Sequence, residues 1–166
     1  MPRTKQVLIL ATLICGVLPG CRSSSSSTLE TGKALEVQAS VRLLADSIAR
    51  DVTREGATAW LRYFEASPGF FMASGGALEY PYNDSAVAGV RDFTSRTRQI
   101  ELTWNDVRID PLSARLAVMG ASFRENITDT SGNQVRFGGY FTAVAEEIPA
   151  GWRLPDAHWS MLNHVE

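Results

Sequence analysis

The chain has 166 residues, 45% of them hydrophobic and 20% charged, and its 16 basic and 18 acidic residues leave a net charge of −2. That is enough for one domain with one core. It excludes an electrostatic nucleic-acid surface, because the arginines are scattered among acids and form no basic stripe.

Arg3 and Lys5 precede an apolar run from Val7 to Leu18, the order of a secretory signal. At about 12 residues the run is too short for a bilayer, which takes roughly 20 in a helix. Leu18-Pro19-Gly20-Cys21 resembles the lipobox of bacterial lipoproteins. The resemblance implies cleavage before Cys21, a diacylglycerol thioether on its sulfur, and acyl chains such as palmitate as the membrane anchor. An ordinary signal peptide with an incidental cysteine and an uncleaved anchor are the alternatives. Cys15 leaves with the signal, so the exported domain has neither a disulfide nor a thiol nucleophile. Removing residues 1–20 leaves 14 basic residues against 18 acidic ones, a net charge of −4. Residues 21–33 hold the run Ser23 to Ser27, which buries nothing and reads as a flexible tether. Arg22 is not the aspartate that favours inner-membrane retention in such lipoproteins, so the resemblance implies the periplasmic face of the outer membrane, with a Gram-positive surface as the alternative.

One domain is expected from residue 34 to 166. From Ala34 to Thr53, Val41, Leu44, Ala45, Ile48 and Val52 recur at three- and four-residue steps, which predicts a helix with one buried stripe. After Gly56, a second helix over Ala57 to Ala66 puts Trp60, Tyr63 and Phe64 on one face before Pro68-Gly69 ends it. Phe70 to Ala73 and Ala77 to Tyr80 flank Ser74-Gly75-Gly76, a hairpin pattern. A third helix follows from Ser85 to Thr97, with Asp84 or Ser85 accepting its free amide hydrogens. Arg91, Arg96 and Arg98 near its carboxyl end complement the helix dipole.

The rest is strand-like: Gln99 to Ile109, Arg115 to Thr128, Val135 to Glu147 and Gly151 to Leu162, separated at 110–113, 129–133 and 149–151 by turn residues. Helices ahead of a long antiparallel meander predict an α+β layer structure. Ile100, Leu102 and Trp104 share one parity; so do Ala117, Met119, Ala121 and Phe123, and Phe137, Phe141 and Ala143. Those sets should face the helices. Gly138-Gly139 in mid-strand predicts a bend or the close approach of a neighbour.

This order of elements, with Gly151-Trp152-Arg153-Leu154 opening the last strand and His158-Trp159-Ser160 near its end, resembles the nuclear transport factor 2-like superfamily, in its branch of polyketide-cyclase-like (SnoaL-like) and ketosteroid-isomerase-like domains. The resemblance spans Ala34 to the end. It implies a cone: a strongly curved antiparallel sheet whose concave side, closed by about three helices, holds an apolar pocket. Trp60, Tyr63, Phe64, Phe71, Trp104, Phe123, Phe141 and Ser160 are the candidate pocket residues.

Asp156, His158 and Ser160 alternate in the last strand and share a face provided that Pro155 introduces no bulge. His158 there is a candidate general base, with Asp156 holding its tautomer. A serine-hydrolase relay is excluded by spacing, since residues two apart on a strand stand roughly 7 Å from one another. The isomerases of this superfamily require an aspartate base near the first hairpin, and here no carboxylate follows Phe70 until Glu79. The only histidines are His158 and His164, six apart, with no cysteine ligands in the exported domain and no compact carboxylate set, and no Gly-rich phosphate loop occurs, so neither metal nor cofactor is expected. The sequence thus favours a lipid-anchored, non-catalytic envelope domain binding a small apolar ligand or a protein partner. The other readings are a cyclase- or isomerase-type enzyme using His158, and a homodimerisation module using Trp159 and Met161 on the outer face.

Overall fold

The computed structural model describes residues 29–162. The expected signal, Cys21, the serine run and His164 therefore lie outside the described residues. Helix α1 spans Thr31–Glu55. Its predicted stripe is the buried one, with Val37 extending it toward the start. Gly56, at φ 85°, ends the helix with its N–H on the Val52 carbonyl at 2.9 Å. The next segment forms a 3₁₀ helix, Ala57–Arg62, where a longer α-helix was expected. The Leu154 N–H donates to Tyr63 O at 2.8 Å and the Glu65 N–H donates to Leu154 O at 3.0 Å. The backbone groups that a further turn would use are committed to the sheet.

Strands β1 (Phe71–Ser74) and β2 (Ala77–Tyr80) form the expected hairpin. Gly75 and Gly76 both take positive φ, 56° and 83°, which a two-residue turn of this hand requires. Helix α2 spans Asn83–Arg96, starting two residues before the expected Ser85. Ser85 still helps to close the first turn, because its Oγ accepts from the Tyr82 N–H at 3.3 Å. Four long strands complete the chain: β3 (Thr97–Ser113), β4 (Leu116–Asp129), β5 (Gln134–Ile148) and β6 (Gly151–Met161). The expected turn at 110–113 is strand instead. Pro111 pairs with Ala117, and β3 is an edge strand, where a residue without an N–H is tolerated.

The sheet order is β2-β1-β6-β5-β4-β3, with β1 parallel to β6 and every other pairing antiparallel. With β2 and β3 as free edges the curved sheet stays open, and the fold class is the α+β cone that was expected. Helix α1 packs mainly on β3, and the Trp104 Nε1 donates to the Ala45 carbonyl at 3.0 Å. The parity sets hold: Ile100, Leu102, Ala117, Met119, Ala121, Phe123, Phe141 and Ala143 are buried, and Trp104 and Phe137 pack against them. In β3, Asp106 takes φ 49° at a register shift between Asn105 and Arg108. This bulge moves the inward positions from even to odd residues, so that Val107 and Ile109 continue the core. Gly139 meets the close approach foreseen for it, since a Cβ there would lie 1.9 Å from the Ser160 carbonyl oxygen.

One phase is inverted. Between Val144–Asp156 and Glu146–Arg153 the β5–β6 register shifts, so β6 carries an extra residue at Leu154-Pro155. Proline cannot donate to the ladder of an interior strand, and the bulge accommodates it. Beyond the bulge Ala157 and Trp159 face inward, 3% and 8% exposed, whereas His158 and Ser160 are exposed on the convex face. The expected placement of His158, Asp156 and Ser160 inside the cone is corrected by this one-residue insertion. So is that of Trp159 and Met161 outside it.

Candidate functional site

Seven aromatic rings meet under the helices. Trp159 stands at their centre, with ring centroids 4.6 Å from Phe123, 4.6 Å from Phe141, 5.5 Å from Trp60 and 5.9 Å from Trp104. Phe64 stacks on Trp60 at 5.6 Å and meets Phe70 at 5.1 Å. This cluster fills the concavity beneath α1 and the 3₁₀ helix. Toward the hairpin and α2 the filling stops, and a cavity of about 440 Å³ remains between them and the sheet.

Its walls are mainly apolar: Trp60 and Phe64 from one side, Met72 and Tyr80 from the hairpin, Val90 and Phe93 from α2, and Ile100, Ile127, Phe137 and Trp159 from the sheet. Gly89 lets Tyr80 lie against α2, because a Cβ there would sit 2.3 Å from the ring. Burial raises the Tyr80 hydroxyl above its ordinary range.

Glu125 also lines this cavity. It continues the inward series Ala117, Met119, Ala121, Phe123 on β4 and pairs in register with Leu102 and Phe137. No side-chain hydrogen bond or ion pair holds its carboxyl among the described residues. Enclosure by protein pushes that carboxyl up to about 7, desolvation being the cause. The residue keeps partial exposure, as a side chain does when it is surrounded by protein yet open to a cavity. Sequence reasoning missed Glu125. The signal was present, since extending the Ala117–Phe123 alternation by one step puts this carboxylate on the same face as the apolar set.

The expected pocket residues divide. Trp60 and Phe64 line the cavity, and Trp104, Phe123 and Phe141 belong to the packed cluster behind it. Phe71 is 42% exposed, and Ser160 is outside. Tyr63 is buried but turned to α1, where its Oη donates to Asp51 Oδ2 at 2.5 Å. Arg62 and Arg50 donate to the same carboxylate, each at 3.0 Å. These bonds, led by that from Tyr63, hold Asp51 down at about 2. The knot ties the 3₁₀ helix to α1 and spends the Tyr63 hydroxyl on structure. On the convex face His158 pairs in register with Ala73 and Thr142. Asp156 is half-buried there, and desolvation raises its carboxyl. Among the described residues no cluster of three or more metal-ligating side chains occurs, and no helix is long and apolar enough to cross a membrane.

No protein-family model matches the chain, and no curated protein does either. Solved structures do. A proposed scytalone dehydratase from Novosphingobium aromaticivorans superposes with a TM-score of 0.70 at 10% identity, covering 82% of this chain and 94% of its own. A nuclear transport factor 2-like superfamily protein from Salmonella enterica gives 0.63 at 14% identity, covering 81% and 94%. The fold is nuclear transport factor 2-like. A third structure with this nuclear transport factor 2-like cone, a hexachlorocyclohexane dehydrochlorinase from Novosphingobium barchaimii, gives 0.59 at 13% identity over 80% of this chain and 94% of its own. At such identities the likeness is one of backbone, and the chemistry rests on this chain's own residues.

Proposed function

We propose that the protein is a lipid-anchored envelope domain that holds a small, largely apolar molecule in the cone without transforming it. The cavity of about 440 Å³ with aromatic walls carries this reading, because a concave apolar site with few polar groups is the usual form of a small-molecule pocket. The lipobox-like Leu18 to Cys21 and the serine run support the anchor, which would place the pocket at a membrane surface. Native mass spectrometry of the full-length protein extracted from its own membranes tests the binding. A bound small molecule is expected, and it should be lost from Met161→Trp, which fills the cavity from β6. A bare protein mass in both would contradict the reading.

A second reading is proton transfer to or from the bound molecule by Glu125, favoured by a carboxyl poised near neutrality at the cavity wall. Names among the similar folds, a dehydratase and a dehydrochlorinase, describe eliminations that need such a group. Against it, the tyrosine and the histidine expected at the site point elsewhere: Tyr63 is bonded to Asp51, and His158 is on the outer face. Binding without turnover therefore stands first, and recovery of the co-purified molecule chemically unchanged after incubation distinguishes the two.

A further inference from the structure

The binding reading leaves open what kind of molecule enters, and the wall chemistry narrows it. Six aromatic side chains line the cavity: Trp60, Phe64, Tyr80, Phe93, Phe137 and Trp159. Ring faces carry negative quadrupole potential and attract organic cations. The charged groups facing the cavity are Glu125 from β4, Glu79 from β2, and Asp92 and Arg96 from α2. Arg96 is the one cation in this wall among the described residues, and it is already bonded to Asp92 at 2.5 Å. Glu125 has no such partner. A carboxyl enclosed without a counter-charge either stays protonated or awaits a cation brought by the ligand.

We infer that the cavity is built for an amphipathic organic cation, a protonated or quaternary amine on an apolar body, with its nitrogen against Glu125 and its body among the aromatic rings. The inference rests on the binding reading above. A carboxylate or phosphate head would meet Glu79 and Glu125 with no free positive group to offset them. A neutral hydroxyl or carbonyl would be served by protonated Glu125 alone and would gain nothing from the aromatic faces beyond contact area. An ammonium draws on both and returns Glu125 to its charged form.

The test uses the full-length protein in lipid nanodiscs, titrated calorimetrically against protein-free discs with three probes of one shape: 1-naphthylmethylamine, 1-naphthylmethanol and 1-naphthoate. At pH 8 the amine should bind at least about tenfold more tightly than the alcohol, with the naphthoate weakest. Glu125→Gln should erase the preference for the amine and leave the alcohol within about twofold of its original affinity. The preference should also shrink as pH falls from 8 to 5 and Glu125 takes up a proton. An alcohol or naphthoate that binds as tightly as the amine, or an amine preference that survives Glu125→Gln, overturns the cation inference while leaving a small-molecule pocket in place. If none of the three binds above the protein-free control, the pocket reading fails, and this inference fails with it.

Discussion

Asp51 and Glu125 are two enclosed carboxyls whose surroundings drive them in opposite directions. Tyr63, Arg62 and Arg50 donate to Asp51 and hold it at about 2, below its ordinary 3.8. Its contribution to stability is therefore complete above pH 3.8 and is lost as pH falls through about 2. Tyr63→Phe removes the shortest bond of that knot and should lower the melting temperature at neutral pH by several degrees, while leaving the cavity lining intact. Glu125 ionises near 4.5 when unfolded and near 7 when folded, so its burial costs nothing below the lower value and its full penalty above the higher one. Glu125→Gln should leave stability at pH 4 unchanged and raise it at pH 8 by up to about 3 kcal/mol, which paired denaturant titrations would show. An equal effect at both pH values would mean that the side chain acts through shape and not through charge.

At the scale of elements, the close packing of β5 on β6 depends on Gly139, whose place admits no side chain because the Ser160 carbonyl oxygen lies 1.9 Å from where a Cβ would be. Gly139→Ala should cost about 2–4 kcal/mol or prevent folding, whereas Gly132→Ala, at φ 91° in an open turn with no neighbour within 4 Å, should cost about 1 kcal/mol. Most elements were legible in the sequence because each was written in a single period. The three- and four-residue steps of α1 and the alternation in β3, β4 and β5 each point one way, and Gly75-Gly76 marks the hairpin turn. What escaped reading was phase wherever a strand carries an extra residue. Pro155 flips the second half of β6, exchanging His158 with Trp159, and Asp106 does the same for β3. The 3₁₀ helix was overestimated for another reason: its end is set by backbone bonds to Leu154, a residue about 90 positions away, and local propensity carries no trace of such a partner. Glu125 was overlooked because a charged residue in an alternating strand is ordinarily assigned to the solvent face. Here it occupies the apolar one.

For the whole molecule, the curved sheet supplies one continuous interior, which has a filled and a hollow part. Under α1 and the 3₁₀ helix, aromatic rings occupy the space. Under α2 and the hairpin, Gly89 lets the helix lie against Tyr80, and the space between them and the sheet stays open. The lipid anchor proposed at Cys21 would hold this hollow at a membrane, where amphipathic molecules concentrate. Cys21→Ala should then shift the full-length protein out of the lipid-modified pool, seen as loss of the acyl mass increment and of labelling by a palmitate analogue. Unchanged labelling would contradict the anchor. An unpartnered carboxyl lines an open apolar cavity, and a carbon-13 NMR titration of the Glu125 carboxyl in the ligand-free protein tests this most directly. A midpoint near 7 is the expected result. A midpoint near the ordinary 4.5 would place the carboxyl in water and contradict the account.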